Sequence, residues 1–264
     1  MLDITFDFRT DSHGKDPDGY SPTLNAYHKA LWSKELPNSE VMDLQSGKPP
    51  YAFRWKDFWF SSDTIIVEML HWRNKKIVDQ VQELITDSEG LFEHLVSRSY
   101  SIGSMIIFPV HKNSMNQMRG MNILISDRWD LTLECIRKHY AGEESPLSKV
   151  IESDKAFYDL FVDFKGYVDF FFMQDCVSED YSAVKIWIGD ASFKKSGLPE
   201  TVEEYLQYKN MDAATVAILR AGTEENALEA IKYANEALGF SGSLYQDMIS
   251  TSAIMGHQSE ENKK

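Results

Sequence analysis

Arg9, Asp11, His13, Lys15 and Asp16 fall within one polar run, Phe8-Arg9-Thr10-Asp11-Ser12-His13-Gly14-Lys15-Asp16-Pro17-Asp18. The run mixes both charge signs with an imidazole and two hydroxyls, which is poor core material and good site material. The Arg9 guanidinium can take a phosphate or carboxylate through two parallel hydrogen bonds. Lys15 offers a second anion contact, with Asp11 and Asp16 as the carboxylates of the same ligand-binding loop. His13 can carry a proton near neutral pH and is the first catalytic candidate. Gly14 permits close backbone approach. The competing reading is a solvated turn, which Asp16-Pro17-Asp18-Gly19 favours directly. Asp16 and Asp18 stand two apart, as metal-binding carboxylates do, but the closing Glu of a calcium loop is missing, so no metal site is assigned.

A second set follows at Asn116-Gln117-Met118-Arg119-Gly120-Met121-Asn122 and Ser126-Asp127-Arg128-Trp129-Asp130. Arg119 and Arg128 add fixed positive charge where a loop enters a helix, and helix N-termini attract anions. Asn116, Gln117 and Asn122 supply amide donors and acceptors suited to a base or sugar edge. Within the helix, Asp127, Asp130, Glu134 and Arg137 share one face. Glu134 sits among Leu131, Leu133, Cys135 and Ile136, where burial can raise a carboxyl pKa, and it is the second proton-transfer candidate. The plainer alternatives are a cap from Ser126 or Asp127 and an ion ladder along the face.

These residues need elements to hold them. Ile4, Phe6 and Phe8 alternate with polar residues and predict a strand ahead of the polar run. Ser21-Pro22 predicts a helix start, and Leu24, Tyr27, His28, Leu31 and Trp32 fall at helical spacing. Tyr51 to Phe60 reads as an aromatic strand or hairpin, leading to Ser61-Ser62-Asp63-Thr64. Residues 75–96 read as an amphipathic helix and Ser101–Pro109 as a buried strand. A helix from about residue 127 ends at Gly142. Ser145-Pro146 starts a longer helical stretch to about Gln174, broken near Lys165-Gly166. Val184–Ile188 reads as a late strand, and 189–199 as a linker. Helices are expected over 200–220, 224–238 and 243–255. Strands scattered between helices, without regular alternation, predict an α+β fold. The expectation is one helix-rich domain over residues 1–257 with a small, mostly antiparallel or mixed sheet. Its C-terminal helical part begins at about 197, and residues 258–264 form a polar tail.

Composition narrows the function classes. The 264 residues carry 27 Lys and Arg against 41 Asp and Glu, a net charge of −14. Such a surface repels phosphate backbones, so no duplex nucleic acid is expected as a partner. Aromatic residues make up 12%, which argues for an ordered core. Cys135 and Cys176 lack a CxxC spacing and read as free core thiols. No basic-then-apolar leader and no apolar run of spanning length is visible, so the expected setting is cytoplasmic, with no membrane partner. Nucleotide-binding glycine loops, serine-hydrolase elbows, zinc-protease spacings and the kinase set are absent, and no cofactor is named.

The segments FRTDSHGKDPD (8–18), SPTLNAYHKALWSK (21–34), NQMRG (116–120), SDRWDLTLECIRKHY (126–140) and GYVDFFFMQD (166–175) resemble a bacterial family of uncharacterised proteins, a domain of unknown function. The resemblance covers roughly residues 3–190, and Trp129 and Lys138 stand where Phe and Arg are usual. It implies no reaction. The order Arg9, Ser61-Ser62, Glu134 is also similar to that in mono-ADP-ribosyltransferases, without their flanking signature. Two functional readings follow. One is an intracellular protein that binds or acts on a nucleotide or other anionic small ligand, in a cleft joining Arg9, Arg119 and Arg128 with His13. The other is a non-catalytic acidic protein that binds a basic partner.

Overall fold

Residues 3, 6–47, 53–65, 100–120, 124, 125, 127–186 and 193 are described by the computed structural model. They form seven α-helices and one four-stranded sheet, an α+β fold. The sheet runs β1 (Gln45–Ser46), β2 (Phe53–Trp55), β3 (Phe58–Thr64) and β4 (Met105–Pro109), in that order and antiparallel throughout. The β2–β3 hairpin turns on Lys56-Asp57, with Trp55 opposite Phe58 and Phe53 opposite Phe60. Lys56 takes a positive φ of 51° there. Phe53 and Trp55 are buried while Arg54 between them is exposed, the two-residue period of a half-covered strand. β4 is buried along its whole length.

The helices α1 (Pro17–Tyr20) and α2 (Pro22–Trp32) precede the sheet. Ser21 caps α2 as its sequence predicts: its Oγ accepts from the Leu24 amide at 3.1 Å, and Pro22 fills the first position. Leu24, Tyr27, His28, Leu31 and Trp32 are its buried face. Helix α3 (Met115–Gly120) follows β4, and α4 (Trp129–Tyr140) is buried over its first eight residues. Gly142, at φ 70°, ends α4 in the left-handed conformation. The amides of Gly142 and Glu143 return to the carbonyls of His139 and Lys138 at 3.0 and 2.8 Å, a Schellman closure. Three short helices, α5 (Ser148–Ser153), α6 (Lys155–Tyr158) and α7 (Phe164–Phe170), complete the set. Phe157, Tyr158, Phe161, Tyr167, Phe170 and Phe171 interlock there with ring centroids 4.9–5.9 Å apart.

Several expectations are corrected. Residues 6–8 do not form a strand. The Phe6 and Thr10 amides close turns onto Asp3 and Asp7, and Phe8 reaches another segment through one bond to Tyr100. Phe8 is buried by that turn geometry rather than by a pleat. Within Ser101–Pro109, Ile102–Ser104 is a 3-10 turn and only Met105–Pro109 is strand. The helical stretch after Ser145 starts at Ser148. It breaks at Val162, whose φ is 70°, and not at Lys165-Gly166, which lie inside α7. Gly166 answers a contact instead: a Cβ there would meet the Phe161 carbonyl oxygen at 2.1 Å. Of the strand expected over Val184–Ile188, residues 184–186 are described and show a bridge from Val184 to Val177, and 187 and 188 lie outside the described residues. The helix over 75–96, the C-terminal helices, the tail, most of the 189–199 linker, Ile4 and Asn122 lie outside the described residues. Among the described residues, no helix is long and apolar enough to cross a membrane.

Candidate functional site

The polar run folds as a series of turns ending in α1. Two of its carboxylates serve as caps. Asp11 accepts from Ser21 Oγ at 2.5 Å and from the Thr23 amide at 3.0 Å at the start of α2. Asp16 accepts from the Asp18 amide at 3.1 Å at the start of α1. Helix α1 packs against β3 and brings Asp18 to Ser62 and Asp63. Burial, then the nearby carboxylates of Asp63 and Asp16, hold the Asp18 carboxyl well above the usual range, against the opposing pull of a Ser62 hydrogen bond and Arg119.

Arg119 anchors this polar seam. It is fully buried and lies 2.5 Å from Asp63 and 3.0 Å from Asp127. Its Nε donates to Thr132 Oγ1 at 3.0 Å. Burial raises the Asp63 carboxyl, opposed by Arg119. Burial pushes Asp127 up to about 7, opposed by Arg119 and reinforced by Asp63. One guanidinium therefore faces a surplus of carboxyls. That explains why Asp127 does not cap α4 as its sequence suggests. The cap position falls on Arg128, which makes no capping side-chain bond, while the Asp127 carboxylate lies 3.0 Å from Arg119.

Ser62 also meets His28. The Trp32 indole N–H donates to His28 Nδ1 at 2.8 Å, and His28 Nε2 lies 2.9 Å from Ser62 Oγ. With Nδ1 accepting, the proton must sit on Nε2, so His28 donates to Ser62. Burial drives its pKa down to about 3, which keeps the ring neutral. The serine, histidine and aspartate are thus hydrogen-bonded in the wrong tautomer for a nucleophile and its base. They form a structural relay.

Beside β3 lies a cleft of about 490 Å³ lined by Ser61, Val110, His111, Lys112, Ser114, Asn116 and Gln117. His111 Nδ1 lies 2.8 Å from the Lys112 carbonyl and Nε2 3.0 Å from Asp154 Oδ1. Both neighbours are acceptors, so the ring satisfies both only as an imidazolium. Burial opposes that charge, but the bonds to the Lys112 carbonyl and Asp154 outweigh it and raise the pKa. Lys112 makes no ion pair with a described residue. Asn116 Nδ2 donates to the Ser62 carbonyl at 3.1 Å, while its Oδ1 is buried with no hydrogen-bond partner. Gln117 Oε1 accepts from the Asn113 amide at 3.0 Å.

The sequence-predicted residues thus divide. Asn116 and Gln117 share the cleft, and Arg119 joins Asp18 and Asp63 in the seam with Asp16 nearby. The expected gathering of free arginines is not seen. Arg9 holds Asp7 through bonds of 2.5–3.0 Å and lies over the Tyr100 ring at 4.9 Å. Arg128 holds Asp130. Lys15 lies over the Tyr20 ring at 4.6 Å. His13 is exposed at a positive φ of 55°. Glu134 accepts from Arg137 at 2.8 and 2.9 Å, an ion pair along the helix. Ser61, His111, Lys112 and Ser114 were not picked out as cleft residues. The available signal was a His-Lys pair directly after the Pro109-Val110 end of a buried strand.

The described chain is an α+β protein with a buried carboxyl–guanidinium seam beside a small cationic cleft. It belongs to a family of unknown function (DUF6994), whose profile matches residues 2–221. No curated protein and no solved structure gives a significant match.

Proposed function

We propose that this protein binds a small anionic ligand, a nucleotide by preference, in the cleft between β3 and the β4–α3 loop. The observation that carries this reading is the Lys112 amine, paired with no described carboxylate, beside the His111 ring in one cleft of a chain whose net charge is −14. Arg9, Arg119 and Arg128 already face carboxylates and His111 faces Asp154, whereas Lys112 pairs with no described carboxylate, so the anion-holding role passes to Lys112. Asn116 and Gln117 add the amide groups that read polar edges. At about 490 Å³, the cleft lies within the ~300–1,000 Å³ usual for small-molecule sites. Cys135 is a buried free thiol, which suits a reducing compartment and supports a cytoplasmic setting.

Thermal-shift titrations with inorganic phosphate, AMP and ATP test the reading. A saturable rise in Tm is expected, about 2.7 kcal/mol of stabilisation at one hundred times Kd, stronger for the nucleotides than for phosphate. Lys112→Ala and His111→Gln should each abolish most of it. No rise with any of the three, or an undiminished rise in both variants, refutes the proposal.

A further inference from the structure

A second cavity, of about 580 Å³, opens between the end of α2 and helix α7, on residues that include Lys34, Glu35, Asp163, Lys165 and Asp169. Lys34 is unlike the other amines of the described surface. Its Nζ lies 3.6 Å from the Phe172 ring centroid, 4.5 Å from Phe170 and 5.4 Å from Trp32. Its hydrogen bond goes to the Phe170 carbonyl at 2.8 Å.

No carboxylate among the described residues pairs with it, although three line the same cavity. Asp169 is held by Lys165, Gln174 and Tyr181. Asp163 caps α7 through the Gly166 amide at 2.7 Å. Glu35 is exposed on the rim. Lys34 is therefore an amine boxed by rings, without a counter-charge, and open to a cavity.

We propose that Lys34 is a reactive amine that captures small uncharged aldehydes or ketones as an imine. The Nζ lone pair attacks the carbonyl carbon and forms the C–N bond. The C=O π pair moves to oxygen, which takes one of the two Nζ protons. The carbinolamine then loses its hydroxyl together with the second Nζ proton as water and leaves a C=N bond to Lys34. No oxidant or reductant is needed. Rim carboxylates from Glu35, Asp163 and Asp169, against the single Lys165 ammonium, disfavour carbonyl compounds that carry an acid group.

Such chemistry needs a free-base amine, and desolvated lysines are the ones that supply it. Burial lowers Lys34 to about 7. Roughly half of it is then neutral at pH 7, where an ordinary lysine is almost wholly charged.

The full chain is treated with propionaldehyde and cyanoborohydride at pH 6–10, and each lysine is followed by peptide mass mapping. At pH 7, Lys34 should be alkylated about tenfold or more faster than Lys56, Lys155 and Lys165. Its pH–rate curve should level off near pH 7–8, while those of Lys155 and Lys165, whose pKa values their aspartate partners raise, go on climbing. Lys165 lines the same cavity, so it controls for access. A Lys34 curve that parallels the other three overturns the proposal, because the amine is then ordinary. No adduct at Lys34 while the others label also overturns it, because the box then holds a closed ammonium.

Discussion

Asp127→Asn measures the cost of the surplus carboxyls around Arg119. Asn resembles the neutral acid in shape but cannot ionise. In the native protein burial pushes the Asp127 carboxyl from 3.8 up to about 7. The folded state therefore binds a proton there that the unfolded chain has already released. The stability tied to that proton is complete below about pH 3.8. It falls as pH rises from there to about 7, and it stays lost above. At 1.36 kcal/mol per pH unit the displacement corresponds to roughly 4 kcal/mol, as an upper figure. The variant lacks this slope. It should match the wild type near pH 4 and exceed it by about 2–4 kcal/mol at pH 8. Arg119 keeps Asp63 at 2.5 Å and so is not left unpaired. Urea unfolding followed by tryptophan fluorescence at half-unit pH steps gives both curves. If Asp127→Asn is instead less stable than wild type by several kcal/mol at pH 8, the Arg119–Asp127 bridge dominates and the reasoning fails.

Gly166→Ala should destabilise α7 by several kcal/mol, read as a fall in Tm, because its Cβ would meet the Phe161 carbonyl oxygen at 2.1 Å and interior over-packing typically costs ~1–3 kcal/mol or more. The neighbouring serines of β3 should behave oppositely. Ser62→Ala strands the His28 Nε2–H, 2.9 Å from the lost hydroxyl, at ~1–3 kcal/mol. Ser61→Ala should leave the melt almost unchanged and weaken ligand binding. An NMR titration should place His111 above 6.5. Its bond to Asp154 then contributes stability that is full below 6.5 and lost as pH rises through the folded value, so a folded value at or below 6.5 refutes the imidazolium assignment.

The parts of the fold set by local signals were legible in the sequence. Ser21-Pro22 starts α2, Gly142 closes α4, and the aromatic alternation through Phe53 and Phe60 makes the hairpin, because each rests on chemistry within a few residues. The opening strand failed for the complementary reason. Alternation at Phe6 and Phe8 records which side chains are buried, and turns bury them as readily as a pleat does. Val162 gave no warning of its break, since a β-branched residue at positive φ is disfavoured everywhere except where packing compels it. At the site, residue types were readable and pairings were not. Arg9 and Arg128 each find a carboxylate two positions away, a pairing that depends on turn geometry. Asp127 leaves its expected cap because Arg119 lies beside it in three dimensions.

The register of β3 gives the seam and the cleft a common origin. Phe60 and Ser62 point inward, where Ser62 Oγ meets His28 and Asp18. Ser61 points outward into the cleft, and the Ser62 carbonyl accepts from Asn116 at 3.1 Å. Two adjacent serines thus serve opposite faces, and a slip of one residue would exchange them. The pairing of β3 with β4, from Phe60 opposite Pro109 to Thr64 opposite Met105, guards against such a slip. It also sets where β4 ends, and so where His111 and Lys112 emerge. The same ladder therefore places His111 and Lys112 beside Ser61. Lys112, placed where that pairing ends, is the cleft cation that pairs with no described carboxylate, and it makes the end of β4 a place for an anion.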